Sequence, residues 1–187
     1  MIYKAVNNQT AAAAARNLME GKSDGLVLLF SSELAVVYGY PQYIDVNACI
    51  RSGAFLYHAW HLGGAIVCFP GDLSIMELKN GGSNFGCESI SAVRDMLESR
   101  KLSALIDGND LMVNGRKCGS WARTSDRGYT QTVVHFSINS DVATIRELCT
   151  KPMAKIPGAL SDYGITAEDI WTTIKEHTPL LSHTRST

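Results

Sequence analysis

The chain lacks any apolar run near the ~18 residues that a membrane-spanning helix needs. Its first ten residues, MIYKAVNNQT, hold no charged region followed by an apolar core. Neither a membrane span nor a secretory leader is therefore expected, and the sequence reads as that of a cytoplasmic protein. It also lacks a charge excess: 17 basic against 18 acidic residues leave a formal net charge of −1. No overall field draws in nucleic acid or an anionic membrane, so any anion site must be local. The five cysteines, Cys49, Cys68, Cys87, Cys118 and Cys149, form no C-x-x-C pair and no Cys/His metal spacing. An odd, scattered set of this kind reads as reduced thiols rather than as a disulfide framework or a zinc site. What is present is an ordinary globular balance, 45% hydrophobic and 19% charged residues over 187 positions. A chain of that length buries roughly two thirds of its unfolded surface in one domain.

Periodicity then divides the chain. NNQTAAAAARNLMEGK opens with polar capping residues, runs through alanines of high helix propensity and stops at Gly21, which predicts a helix over about Ala11 to Glu20. GLVLLF and ELAVVYGY are β-rich runs parted by Ser and Glu residues, the pattern of a hairpin ending near Pro41. IDVNACIRSG predicts a short helix, and AIVCF and DLSIMEL form two strands flanking the turn signal Pro70-Gly71. Ile90, Val93, Met96 and Leu97 recur at helical spacing. Leu111 and Val113 share a strand face, Asn114-Gly115 supplies the two positive-φ positions of a tight turn, and RKCGSWART returns. Val134, Phe136 and Ile138 mark another half-buried strand. SDVATIRELC resumes helix, and ITAEDIWTTIKEH opens at a threonine cap with Glu168 and Asp169 in its first turn and Lys175 late. The whole reads as one α+β domain over residues 1–177, a mainly antiparallel mixed sheet with helices packed to one side, followed by a frayed tail at 178–187.

Taken singly, the reactive residues have plain structural readings. Lys117 on a returning hairpin strand is first a solvated charge, and Gly63-Gly64 is first a tight turn into a strand. His58 and His61 stand at i, i+3 without a third ligand, which does not make a metal site. Cys149 is first a small core residue, and Tyr57 and Trp60 are packing residues.

Their order changes that reading. GNDLMVNGRKCGSWARTSDRGY, residues 108 to 129, resembles the lipoate–protein ligase branch of the biotin/lipoate protein ligase superfamily. That family has an Asn-Asp-Leu run, a hairpin, Gly-Arg-Lys, small residues, then Asp-Arg-Gly and an aromatic. Upstream, GGAIVCFPGDLSI is similar to the family's glycine-rich loop and following strand. Downstream, FSINSDVATIREL and GITAEDIWTTI are similar to its strand-to-helix step and late helix.

The resemblance implies a two-step reaction. A lipoate-type carboxylate attacks the α-phosphate of ATP to give an acyl-adenylate, and a carrier-domain lysine then takes the acyl group. It implies Lys117 as the catalytic cation, because a compact ammonium can follow charge developing on carboxylate and phosphate oxygens. It implies Gly63, Gly64 and Ala65 as the loop whose backbone amides approach the ligand, and Asn109, Asp110, Gly119 and Ser120 as further substrate or nucleotide contacts. Asp110 is the implied Mg²⁺ ligand. The implied acceptor is the lipoyl-carrier domain of a 2-oxoacid dehydrogenase or a glycine-cleavage protein. An accessory protein would stand in for the C-terminal accessory domain that this chain lacks.

Three departures from the family pattern bear on ATP use. His58 and Ala59 occupy the positions of a family arginine pair, Leu62 replaces the first glycine of the loop, and Cys68 stands where the family has histidine. An arginine offers a fixed bidentate fork for phosphate that histidine and alanine do not. Two alternatives follow: a non-catalytic homologue that keeps the fold as a binding protein, and an octanoyltransferase using Cys149 as nucleophile.

Overall fold

Alternation along one strand sets the architecture. In β2 (Gly25–Phe30), Leu26 and Leu28 turn to one face and Val27 and Leu29 to the other, and all four are buried. A strand buried on both faces belongs inside a covered sheet. In the computed structural model, which describes residues 1–59, 64–126, 128–150 and 153–177, that sheet has seven strands. Its order is β1 (Ile2–Ala5), β2, β6 (Leu73–Asn80), β10 (Tyr129–Phe136), β9 (Arg116–Asp126), β8 (Asp110–Val113) and β7 (Ala104–Asp107). β1 runs parallel to β2, and every other neighbouring pair is antiparallel. A second sheet of three strands has the order β4 (Phe55–His58), β3 (Ala35–Tyr38), β5 (Ala65–Cys68). The fold is therefore α+β with a large mixed, mainly antiparallel sheet, as expected.

The runs GLVLLF and ELAVVYGY do not form the expected hairpin, because β2 lies in the large sheet and β3 in the small one. Long-range bonds make the difference. Between the two strands, the Ser31 N–H donates to the Asp72 carbonyl at 2.9 Å, and the Gly71 N–H returns to the Ser31 carbonyl at 2.7 Å. The second crossing, from β5 to β6 through Pro70-Gly71, thus runs beside the first. The strands on either side of that turn exist as expected but also belong to different sheets.

Helices cover both faces of the large sheet rather than one. On one face, α3 (Phe85–Ser99) and α5 (Ala167–His177) set Phe85, Ile90, Val93, Leu97, Ile170, Trp171 and Ile174 against Leu26, Leu28, Ile75, Val134 and Phe136. On the other, α1 (Asn8–Glu20) packs Ala11, Ala15 and Leu18 against Val27, Leu29 and Leu78. α1 starts three residues before the expected Ala11 because Asn7 caps it: its side chain accepts from the Thr10 N–H while the Thr10 side chain accepts from the Asn7 N–H. α2 (Val46–Arg51) and α4 (Val142–Leu148) back the small sheet, with Cys49 and Leu148 in its core.

The Asn114-Gly115 turn has φ of 48° and 77°, the left-handed pair expected of a tight hairpin. All five cysteines are free. No helix among the described residues is long and apolar enough to cross a membrane. The expectations placed on Trp60, His61, Leu62 and Gly63, and the tail at 178–187, fall outside the described residues.

Two outcomes follow from these packings. A Cβ built at Gly86 would lie 2.6 Å from Trp121 Cε3 of β9, whereas one at Gly82 meets nothing within 4 Å. Gly86→Ala is expected to lower unfolding stability by about 1–3 kcal/mol in a urea titration, against a change within ~0.5 kcal/mol for Gly82→Ala. At the start of α5, the Thr166 hydroxyl, the Arg100 guanidinium and the Thr166 N–H hold the Asp169 carboxyl at about 2. A lowered carboxyl adds stability that is full above its unfolded value and is lost as pH falls through the folded one. The stability gap between the native chain and Asp169→Asn should therefore close as pH is taken from the ordinary 3.8 down towards 2. A gap unchanged across that range would contradict the assignment.

Candidate functional site

Where the small sheet stands over the large one, two cavities open side by side and share Ile66 as a common wall. The polar one, about 330 Å³, takes its character from Asp110, Lys117, Ser120, His135, Ser137 and Lys155, is also lined by Gly64, Ala65, Gly119 and Cys149, and has Ile66, Val67, Ile145 and Met153 as an apolar part. The larger, about 570 Å³, has Val27, Leu29, Met76 and Val133 of the large sheet as its floor. Ala11, Ala12 and Ala15 of α1 form one side, and Val37, Ile66 and Cys68 form the other. The alanine run that gave α1 its helix propensity also keeps that wall thin.

A β-bulge delivers the cation. In the β8–β9 pair, Leu111 faces Gly119 but Met112 faces Lys117, so Cys118 is the extra residue. In an unbroken strand, residues three apart point to opposite faces. The bulge lets Lys117 and Ser120 line the same cavity while Cys118 turns into the core, where burial pushes its thiol up to about 12. Gly119 sits in a tight place: a Cβ there would meet the His135 carbonyl at 3.0 Å and Phe136 at 3.1 Å, so its neighbours would have to give by a few tenths of an ångström.

Lys117 is not simply a solvated charge. Its Nζ lies 2.8 Å from Asp110 Oδ1, and the Nζ of Lys155 lies 2.7 Å from Asp110 Oδ2. Lys155 also bonds Asp107, through Oδ2 at 2.9 Å and the carbonyl at 3.0 Å. Burial works to raise the Asp110 carboxyl, but the hydrogen bonds from Lys117 and Lys155 outweigh it and leave the group lowered. Lys155 is raised in turn by its bonds to Asp110 and Asp107. The segment carrying Lys155 is fixed against β9: the Lys117 N–H donates to the Ile156 carbonyl at 2.8 Å, and the Gly158 N–H to the Lys117 carbonyl at 2.9 Å.

His135 closes the inner wall. It is 4% exposed, its Nδ1 lies 2.9 Å from the Ser74 hydroxyl, and its Nε2 lies 3.7 Å from Asp72 Oδ2 and 3.5 Å from the Ser137 hydroxyl. Burial lowers its pKa, Asp72 opposes that, and Lys117 adds to it, so the ring is neutral at neutral pH. Ser74 borders the apolar cavity and His135 the polar one, which makes this pair part of the partition between them.

The expected residues divide accordingly. Gly64, Ala65, Asp110, Lys117, Gly119, Ser120 and Cys149 come together on the polar cavity. Asn109 does not line it, but is exposed at the β7–β8 turn, its carbonyl accepting from the Trp121 N–H at 3.0 Å. Cys149 is half-buried, and its thiol is pushed up to about 11 by burial and by Cys49 beside it, with no described cation lowering it. The arginine positions of the resemblance hold His58, with Nε2 3.1 Å from the Gly39 carbonyl, and Ala59; both border the apolar cavity. Lys155 and His135 carry no local signal in the sequence. Lys155 sits in an irregular segment, and His135 looks like any residue of an alternating strand.

No protein-family model matches the chain, and no curated protein sequence matches it. Solved structures do. LipL1 of P. falciparum, in complex with lipoate, superposes with a TM-score of 0.79 at 14% identity, over 100% of this chain and 62% of that one. The chain thus spans less than two thirds of LipL1. A bi-partite lipoate protein ligase from Thermoplasma acidophilum, studied with its E2 lipoyl domain, gives 0.76 at 14% identity, over 97% and 82% of the two chains. Lipoate-protein ligase A bound with ATP gives 0.75 at 16% identity, over 97% and 85%. The two-sheet architecture is the catalytic-domain fold seen in lipoate and biotin protein ligases.

Proposed function

We propose that this chain is a lipoate–protein ligase-like enzyme, which activates a lipoate-type acid with ATP as an acyl-adenylate and passes the acyl group to a carrier-domain lysine. The observation that carries this reading is the Lys117 ammonium in a polar cavity that adjoins an apolar one across Ile66. An acid with a carboxylate head and an apolar tail fits that division, with its reacting end beside the cation. The lipoate of LipL1 and the ATP of lipoate-protein ligase A support it by likeness of fold. The E2 lipoyl domain of the Thermoplasma system supports a lipoyl-carrier domain as acceptor, in a 2-oxoacid dehydrogenase or a glycine-cleavage protein, and its bi-partite build supports an accessory protein partner.

Adenylation brings two anions together, so the chain's contribution is positive charge and fixed donors at the point of contact. Lys117 offers the ammonium. Gly64 has nothing within 4 Å of a Cβ position, so its backbone is open to close approach by a ligand. Ser120 and Ser137 add hydroxyls on the same wall. Among the described residues no three His, Cys, Asp or Glu side chains converge on a metal position. A Mg²⁺ ion that keeps several waters and enters with substrate phosphates needs only one or two carboxylates. Asp110, with Asp107 beside Lys155, is the group that would hold it, and its charge would offset that of the phosphates. Cys149, with its raised thiol, is poorly suited as the nucleophile of an octanoyl transfer.

The test is pyrophosphate release on incubation with ATP, Mg²⁺ and, in turn, lipoate, octanoate or biotin. Lipoate or octanoate is expected to give release, and Lys117→Ala to reduce it by ~10²-fold or more. Lys117→Arg should not restore the rate, because a planar fork does not occupy the place of a compact ammonium. The fold should survive the change within about 1 kcal/mol, since Asp110 keeps Lys155 as partner. Absence of release with every acid would sink the ligase reading in favour of a non-catalytic binding protein.

A further inference from the structure

The arginine fork of the resembling family is replaced by His58 and Ala59, yet the polar cavity is not without a paired cation. Lys117 and Lys155 reach it from different parts of the chain, one from the bulge of β9 and the other from the segment bonded alongside. Their ammonium groups close on the two oxygens of one carboxylate, Asp110 Oδ1 at 2.8 Å and Oδ2 at 2.7 Å. The side chain of Asp110 is 18% exposed, those of Lys117 and Lys155 are 38% and 25% exposed. The cluster therefore borders the cavity without being sealed from it.

We infer that Lys117 and Lys155 together form a two-ammonium seat for a single anionic group of the ligand, and that Asp110 fills this seat in the free chain. The spacing carries the inference. Two donors that satisfy both oxygens of one carboxylate also match two oxygens of another carboxylate or of one phosphoryl group. Asp107 anchors Lys155 through two bonds, so its Nζ stays in place when Asp110 is displaced. The two lysines then supply, from separate chain segments, the bidentate contact that one guanidinium would otherwise make. Asp110 is in this sense a competitor of the ligand, and its removal must act in the opposite direction to the loss of either lysine.

This inference rests on reading the cavity as the acid-activating site, and binding measurements separate the two. The full chain without Mg²⁺ would be titrated calorimetrically with octanoate, AMP, ATP and inorganic pyrophosphate. The first tests a carboxylate and the others phosphoryl groups as the natural occupant. Lys155→Met is expected to weaken the occupant's binding by about tenfold or more, the scale of one lost hydrogen bond to a charged group. Asp110→Asn should strengthen the same binding, which a merely structural role for the cluster would not do. Thermal melts of both variants check that they fold. If Lys155→Met binds every probe as the native chain does, or if Asp110→Asn weakens binding, the two-lysine seat is wrong even where pyrophosphate release succeeds. If both shifts appear but no acid gives release, the seat stands and the ligase reading falls.

Discussion

The buried carboxylate of Asp72 ties together the parts that frame the site. It is 1% exposed and its oxygens accept three backbone N–H groups: Phe69 at 2.9 Å on Oδ2, and Ile138 at 2.7 Å and Asn139 at 2.9 Å on Oδ1. Its carbonyl takes the Ser31 N–H at 2.9 Å. One residue thus joins the end of β5, the start of β6, the chain leaving β2 and the chain leaving β10. A charge removed from water is tolerable only when such donors replace its hydration. Here the donors come from a segment leaving the small sheet, at Phe69, and from one leaving the large sheet, at Ile138 and Asn139. Both crossings between the sheets are held at this residue, one through its backbone carbonyl and the other through its satisfied carboxylate, and the gap between the sheets is where the cavities lie.

From Asp72 the order passes to the cavity wall. His135 sits directly across from Ser74 in the β10–β6 register and presents Nε2 towards the Asp72 carboxylate at 3.7 Å. Its Nδ1 and the Ser74 hydroxyl lie 2.9 Å apart and satisfy one another within the wall. The partition between the polar and apolar cavities is in this way made of polar groups that satisfy one another. The apolar side can remain apolar, because Ser74 has its partner within the wall.

Local physics was legible in the sequence and non-local physics was not. Asn114-Gly115 announced its turn because two positive φ values are a property of those two residues alone. Thr166 and Asp169 announced the start of α5 for the same reason, since a cap is settled within three residues. The hairpin expected from β2 and β3 failed because the chain between them bonds to residues 71 and 72, forty positions away, which no window of sequence contains. The site shows the same division. Lys117, Asp110 and Gly64 stood in recognisable order and line one cavity, while Asn109 stood in that order and does not. Lys155 gave no signal, because its place depends on residues 156 and 158 bonding to the backbone of Lys117.

The charge balance of the site follows from the chain as a whole. With a net charge of −1 there is no broad field to gather anions, so attraction has to be created over a few ångströms. Two uncompensated ammonium groups at the mouth of a cavity would repel each other and stay hydrated. Asp110 offsets that repulsion in the free chain, and Asp107 keeps Lys155 in position before a ligand arrives. An entering anion then exchanges with an anion already present. The cost of desolvating the lysines and ordering their long side chains has in large part been met during folding. Such a seat discriminates by geometry more than by charge, because an anion that cannot span both ammonium groups gains too little to displace a carboxylate that does.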